Sequence, residues 1–198
     1  LVLRRAEIWT GTAGRLEPQK DHELLLEAFA EVHRARPETR LEIAGEGSLR
    51  PRLEARAREL GISAATKFLG AVRPEDMPAT LARWDFFAFP SRWEGFGLAL
   101  AEAMAMELPV VASDVEGIPE LLDQERCGWL APSGDAETWA RILLEVLAAP
   151  EEARVRAACG RARVAAHFDL RVASAQLAAL YEEVTAGRAS SKRDRSPA

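Results

Sequence analysis

A doubly wound α/β fold, with a parallel sheet covered on both faces by helices, is predicted by two observations. Short apolar runs alternate with longer stretches of helical periodicity, and glycine or proline punctuates the ends of several of them. Glu7 to Ala13 reads as the first strand, followed by a turn at Gly14-Arg15-Leu16-Glu17-Pro18. Asp21 stands at an N-cap position before a helix whose Leu24, Leu25, Ala28, Phe29 and Val32 recur on one face until Pro37. Leu41 to Ala44 is a second strand ending in Gly45-Glu46-Gly47. Ser48 then caps a helix carrying Leu49, Leu53, Ala57 and Leu60 and stopped by Gly61.

Thr66 to Leu69 makes a third strand, a short helix covers Met77 to Arg83, and Phe86 to Phe89 is a fourth strand stopped by Pro90. A helix from Leu98 to Met106 leads to a strand at Pro109 to Ala112. A short helix at Ile118 to Leu122, a strand at Gly128 to Ala131, and helices at Asp135 to Leu147, Glu151 to His167 and Leu170 to Ala186 complete the pattern. Strands alternating with helices imply right-handed crossovers, so the expected architecture is a single Rossmann-like domain over residues 1–187 with helices at its C-terminal end. The Ser- and Arg-rich segment 188–198 is expected to be a disordered tail.

Hydrophobic residues make up 48% and charged residues 29% of the 198, a balance that supports a folded core. The formal net charge of −5 offers no field for polyanions and argues against nucleic acid as a partner. Any anion must be caught locally. No apolar stretch approaches the roughly 18 residues of a membrane span, so no span is expected. The N-terminus, Leu1-Val2-Leu3-Arg4-Arg5, lacks the order of a signal peptide, and a cytoplasmic address is expected. Cys127 and Cys159 lack metal-ligand spacing and read as reduced thiols. His22, His33 and His167 are scattered along helices and read as surface residues.

In open parallel sheets ligands bind beyond the carboxyl ends of the strands, so the loops there carry the chemistry. Gly14-Arg15-Leu16-Glu17-Pro18-Gln19-Lys20 places a guanidinium fork and an ammonium across one tight turn, where both can converge on a diphosphate or stand as solvated surface cations. Pro90-Ser91-Arg92-Trp93-Glu94-Gly95-Phe96-Gly97-Leu98 runs directly into a helix. Its glycines let backbone N–H groups approach an anion, and the helix N-terminus adds positive potential. That is a phosphate cradle without a metal, although a plain glycine turn has the same letters. Carboxylates beside such a cradle repel an anion, so Glu94 and Glu102 suggest sugar hydroxyls as their targets, since hydroxyl donors need acceptors. Gly70-Ala71-Val72-Arg73 can receive a flat base or serve as a crossover turn. Gly45-Glu46-Gly47 offers close backbone approach or a simple strand-to-helix turn.

Together these loops resemble the C-terminal domain of the group 1 (family 4) glycosyltransferases, which have the two-domain GT-B fold. The matching text is Gly14-Arg15-Leu16 with Lys20, Ile43 to Gly47, Phe68-Leu69-Gly70, the stretch from Pro90 through Glu102-Ala103-Met104 to Ala112, Gly117 to Glu120, and Gly128 to Pro132. It covers roughly residues 8–180.

The resemblance implies a retaining sugar transfer from a nucleotide-diphosphate sugar, with no metal and no other cofactor. Arg15 and Lys20 would neutralise the diphosphate, and Glu94 would accept from donor-sugar hydroxyls; these are the catalytic candidates. The donor-binding candidates are Gly14, Gly45, Val72, Ser91, Gly95, Phe96, Gly97, Leu98 and Glu102. Among them, the amides near Phe96, Gly97 and Leu98 would hold the distal phosphate, Glu102 the ribose, and Val72 with neighbouring main chain the base. One departure is Glu107, where the family commonly has glycine before Leu-Pro-Val-Val; a poorer helix C-cap is expected there. The larger departure is the N-terminal acceptor domain. Leu1 to Arg5 is too short to replace it, so turnover is expected to need that domain in cis or in trans.

Two rivals keep parts of this pattern: a non-catalytic sugar-nucleotide-binding module, and a GT-B-type sugar-nucleotide epimerase fragment, which Arg15/Lys20 and Glu94/Glu102 fit less well. Gly45-Glu46-Gly47-Ser48-Leu49-Arg50 lacks the third glycine of a dinucleotide fingerprint, and no Gly-Lys-Ser/Thr of a P-loop is present. Asp114-Val115-Glu116 has the form of a metal-binding pair but reads as a loop entering the next helix. Trp93 reads as packing at its loop base or as a cleft residue.

Overall fold

The computed structural model describes residues 7–193, with side chains through residue 183. It divides into a unit ending at Arg161 and a second beginning at Ala162. The first holds β1 (Ile8–Ala13), α1 (His22–Ala35), β2 (Thr39–Ala44), α2 (Arg50–Glu59), β3 (Thr66–Gly70), α3 (Met77–Leu81), β4 (Phe86–Phe89), α4 (Leu98–Ala105), β5 (Val110–Ser113), α5 (Ile118–Leu121), β6 (Trp129–Ala131) and α6 (Ala136–Ala148). Each expected strand and helix is present, with ends shifted by a residue or two except at the end of α8 (Leu170–Arg193). Short 3-10 turns at Pro18–Lys20 and Pro74–Asp76 were not expected. The expectations for Leu1 to Arg5 concern residues outside the described range.

The six strands are parallel and ordered β3-β2-β1-β4-β5-β6, so the chain reverses its direction of winding between β1 and β4. Alternation along each strand sends Leu41, Ile43, Phe86, Ala88 and Val111 into a core with Leu25, Phe29 and Trp139 of α1 and α6. Phe87, Phe89, Leu100 and Met104 are buried as well, and α4 packs on β4 and β5. β1 and β4 pair only at Thr10 with Phe86 and at Gly11 with Phe87. On the carboxyl side of those pairs no further register pair joins the two strands among the described residues, at the switch point of the sheet.

Three local expectations are corrected. Ser48 does not cap α2: its N–H and hydroxyl both donate to the Glu17 carboxylate, at 2.9 and 3.0 Å, and Leu49 holds the cap position. His22 is buried, being the first residue of α1 where the helix enters the core. Cys127 and Cys159 form a disulfide, with Cα atoms 5.0 Å apart. Cys159 belongs to α7 (Pro150–His167), and sequence spacing does not reveal that this helix returns to the turn before β6.

Glu107 sits at φ +59°, the left-handed position that glycine favours after a helix. The Glu107 N–H donates to Met104 O and the Leu108 N–H to Ala103 O, a complete Schellman closure of α4 built without glycine.

The second unit contains the end of α7 and α8 (Leu170–Arg193), with Arg163 stacked 5.7 Å from the Phe168 ring. Leu177 and Leu180 of α8 are exposed. α8 runs to Arg193, past the expected end at Ala186. The rest of the expected tail, residues 194–198, lies outside the described range.

Candidate functional site

The loops after β1 and β4 meet at the switch point. Gly14 prolongs β1 by donating its N–H to Ala44 O at 3.0 Å, and the chain then turns through Arg15 into the 3-10 turn that delivers Lys20. From the other side, Pro90 ends β4 and Ser91 to Gly97 lead into α4. Lys20 Nζ forms an ion pair with Glu94 Oε2, and both side chains are largely buried. The ammonium also lies 4.9 Å from the Phe89 ring centroid. Two of the three expected catalytic residues are thus in direct contact.

Further bonds join the same loops. The Arg92 N–H donates to Gln19 O at 2.8 Å, Gln19 Nε2 donates to Trp93 O at 3.1 Å, and the Arg92 guanidinium donates to both oxygens of Asp21 at 2.8 and 3.3 Å. Asp21 raises the Arg92 pKa by this hydrogen bond first and by charge second. His22, beneath the junction, has no hydrogen-bond partner for either ring nitrogen among the described residues. Burial first, and the Lys20 charge second, push its pKa down to about 4, so it is neutral near pH 7.

Arg15 is exposed, and its guanidinium makes no hydrogen bond or ion pair among the described residues. Glu17 is held low by the Ser48 bonds, with Arg15 contributing least. At the start of α4, Gly97 takes φ +87° as the N-cap residue and no side chain caps the helix. The first-turn N–H groups lack helical acceptors, as in any helix, and the N-cap glycine has no side chain to accept from them. Gly95 is exposed and its N–H donates to Glu94 Oε1 at 3.3 Å. Phe96 and Leu98 are exposed at the rim, as is Trp93 at 58%, so Trp93 does not pack at the loop base.

Gly45 has φ +145°, and a Cβ there would stand 1.8 Å from Gly14 O. Glycine is what lets the loop after β2 close against the loop after β1. Ser91 is fully buried, with its hydroxyl unpartnered among the described residues. Glu102 is exposed on α4, and Val72 is half-buried after β3. No described hydrogen bond or ion pair links either to Lys20 or Glu94. A separate cavity of about 270 Å³, lined by Phe86, Met106, Pro109, Val146 and Ala157, opens beside the amino ends of β4 and β5, away from these loops.

The residues that reading the sequence missed are Gln19, Asp21, Arg92 and His22. An Asp before a helix reads as a cap, and nothing in the letters signals that its carboxylate turns to another loop. No helix among the described residues is long and apolar enough to cross a membrane.

Comparison with known proteins bears on the fold and the family. A D-inositol 3-phosphate glycosyltransferase of Segniliparus rotundus is 39% identical over 156 residues, 77% of this chain and 34% of that protein. The amylovoran biosynthesis glycosyltransferase AmsK of Erwinia amylovora is 35% identical over 148 residues, 72% of this chain and 36% of that protein. Among solved structures, sucrose-phosphate synthase of Thermosynechococcus elongatus superposes with TM-score 0.83 at 30% identity, covering 92% of this chain and 47% of that one. Anabaena HepE, in complex with UDP and glucose, superposes with TM-score 0.83 at 26% identity, covering 90% and 49%. The chain thus spans between a third and a half of the length of these relatives. Its sheet is the Rossmann-like half of a GT-B fold. Residues 5–163 match the family described as Glycosyl transferases group 1, and the chain belongs to that family.

Proposed function

We propose that this chain is the donor-binding half of a retaining, metal-independent glycosyltransferase, and that it holds a nucleotide-diphosphate sugar between the loops after β1 and β4. The observation that carries the reading is the Lys20–Glu94 pair at the switch point, beside an uncapped helix start. On this account the donor diphosphate takes Lys20 away from Glu94, and the freed carboxylate accepts hydrogen bonds from the sugar hydroxyls. Arg15, exposed on its loop, grips phosphate oxygens as a fork. The amides near Phe96, Gly97 and Leu98 receive the distal phosphate. Glu102 accepts from the ribose, and Val72 with its neighbouring main chain contacts the base.

Cleaving the bond between the sugar and the diphosphate leaves negative charge on the departing phosphate. Preorganised donors aimed at that charge stabilise the transition state more than the bound substrate. Arg15, Lys20 and the α4 N-terminus supply them, so the account requires no metal. HepE, a relative in fold, holds UDP and glucose, in keeping with such a donor. The acceptor site belongs to a further domain in the same polypeptide or in a separate chain, and the described residues alone give donor binding without transfer.

A cytoplasmic address is part of the proposal. The Cys127–Cys159 bridge bears on it, because reducing compartments keep thiols reduced, and thiol counting in rapidly quenched cells tests it.

Calorimetric titration with UDP, GDP and ADP and their sugar conjugates, in the presence of a chelator, tests the donor site. The expected result is binding of one nucleotide series that falls at least about tenfold in Arg15→Ala and in Glu102→Ala, the loss of one charge-assisted contact each. Binding that requires a divalent cation, or that ignores both substitutions, contradicts the assignment.

A further inference from the structure

Asp21 occupies the N-cap position of α1, yet its side chain caps nothing. It adopts a left-handed φ of +43°, a region where glycine is at ease and Asp is tolerated. Its carboxylate is buried, with a side-chain exposure of 5%, and it is engaged by both arms of the Arg92 guanidinium. A bidentate fork fixes orientation as well as distance. The bond spans 71 positions of sequence and joins the two loops of the donor cleft.

The placement of this pair gives it a task. Strand pairing between β1 and β4 stops at Gly11 and Phe87, so the ladder does not hold the mouth of the cleft. Beyond it, Gln19, Lys20 and Asp21 lie alongside Arg92, Trp93 and Glu94 and are joined by the Gln19–Arg92 and Gln19–Trp93 hydrogen bonds and by two ion pairs. Asp21 directly follows Lys20, and Arg92 is two residues before Glu94. The Lys20–Glu94 contact must open when a diphosphate takes Lys20. The Asp21–Arg92 pair has no such competitor in the proposed pose, so it keeps the loops in register after Lys20 has changed partners.

We propose that Asp21 and Arg92 are a positioning pair, which holds Lys20 and Glu94 at the separation that a diphosphate-linked sugar requires. The inference rests on the donor-site reading above. It predicts selectivity in what is lost: the diphosphate and sugar contacts depend on the pair, whereas the base and ribose contacts at Val72 and Glu102 do not.

The test compares the unaltered chain with Asp21→Gly and Arg92→Gln. Asp21→Gly removes the carboxylate but suits the left-handed backbone, and Arg92→Gln changes an exposed head, so both variants are expected to fold. Each is titrated with UDP-glucose and UMP, with GDP-mannose and GMP, and with ADP-glucose and AMP, and melting temperature is recorded alongside. In the series that binds the unaltered chain, affinity for the nucleotide sugar is expected to fall about tenfold in both variants, while the monophosphate changes less than about twofold. Arg92→Lys, which keeps the charge without the fork, is expected to fall between.

Equal losses for sugar nucleotide and monophosphate mean a general structural effect and overturn the positioning role. So does unchanged sugar-nucleotide affinity in either variant. If the unaltered chain binds none of the three series, the donor-site reading fails first, and the positioning role falls with it.

Discussion

Lys20, which ends the loop after β1, and Glu94, in the loop after β4, form an ion pair across 74 positions of sequence at the point where the sheet reverses its winding. Opposite charges are thereby stored in the crevice before any ligand arrives. In the proposed pose the cation is already where the diphosphate comes, and its present partner is the group that receives the sugar.

The buried His22 predicts a pH dependence of stability. Its folded pKa of about 4 lies below the ordinary 6.5, so the unfolded chain binds more protons between those values. Stability is therefore fully present above about pH 6.5 and is lost as pH falls toward 4, by about 3 kcal/mol in total. Denaturant unfolding at several pH values checks this, and His22→Gln should flatten that part of the profile.

Glu107 predicts a stabilising substitution. A non-glycine residue in the left-handed region costs roughly 1 kcal/mol, whereas its ion pair with Arg161, at 3.2 Å and largely exposed, contributes little. Glu107→Gly should raise stability by up to about 0.6 kcal/mol after allowing for glycine's greater unfolded entropy. A melting temperature that falls instead would show that Arg161 contributes more than an exposed pair normally does.

The Cys127–Cys159 bridge closes a loop of 32 positions, and chain-entropy arguments give it about 3–4 kcal/mol. Reduction by a dithiol, or Cys159→Ser, should lower the unfolding free energy by roughly that amount. Equal stability with and without reductant would mean that the bridge does not form in solution.

The order of strands and helices was legible because burial on both sheet faces writes apolar runs, and amphipathic helices write their own period. The left-handed place of Glu107 was legible too, as a departure from glycine before Leu108. What was hidden depends on tertiary return. The Asp21 letter is that of a cap, and only the approach of Arg92 converts it to a clamp. Ser48 likewise reads as a cap until Glu17 is seen beside it. The burial of His22 and the pairing of two distant cysteines follow from helix placement, which periodicity does not encode. At the site, the sequence supplied Lys20 and Glu94 as candidates for one ligand, but their direct pairing required the sheet order.

The central claim is that Lys20 exchanges Glu94 for a diphosphate, and calorimetry of Glu94→Gln tests it most directly. Removing the carboxylate frees Lys20 and removes a repelling charge, so the affinity for the bare nucleoside diphosphate should rise roughly three- to tenfold. In the same variant the added affinity conferred by the sugar should shrink, because its hydroxyls lose their charged acceptor. A bare diphosphate that binds Glu94→Gln no better than the unaltered chain would contradict the exchange.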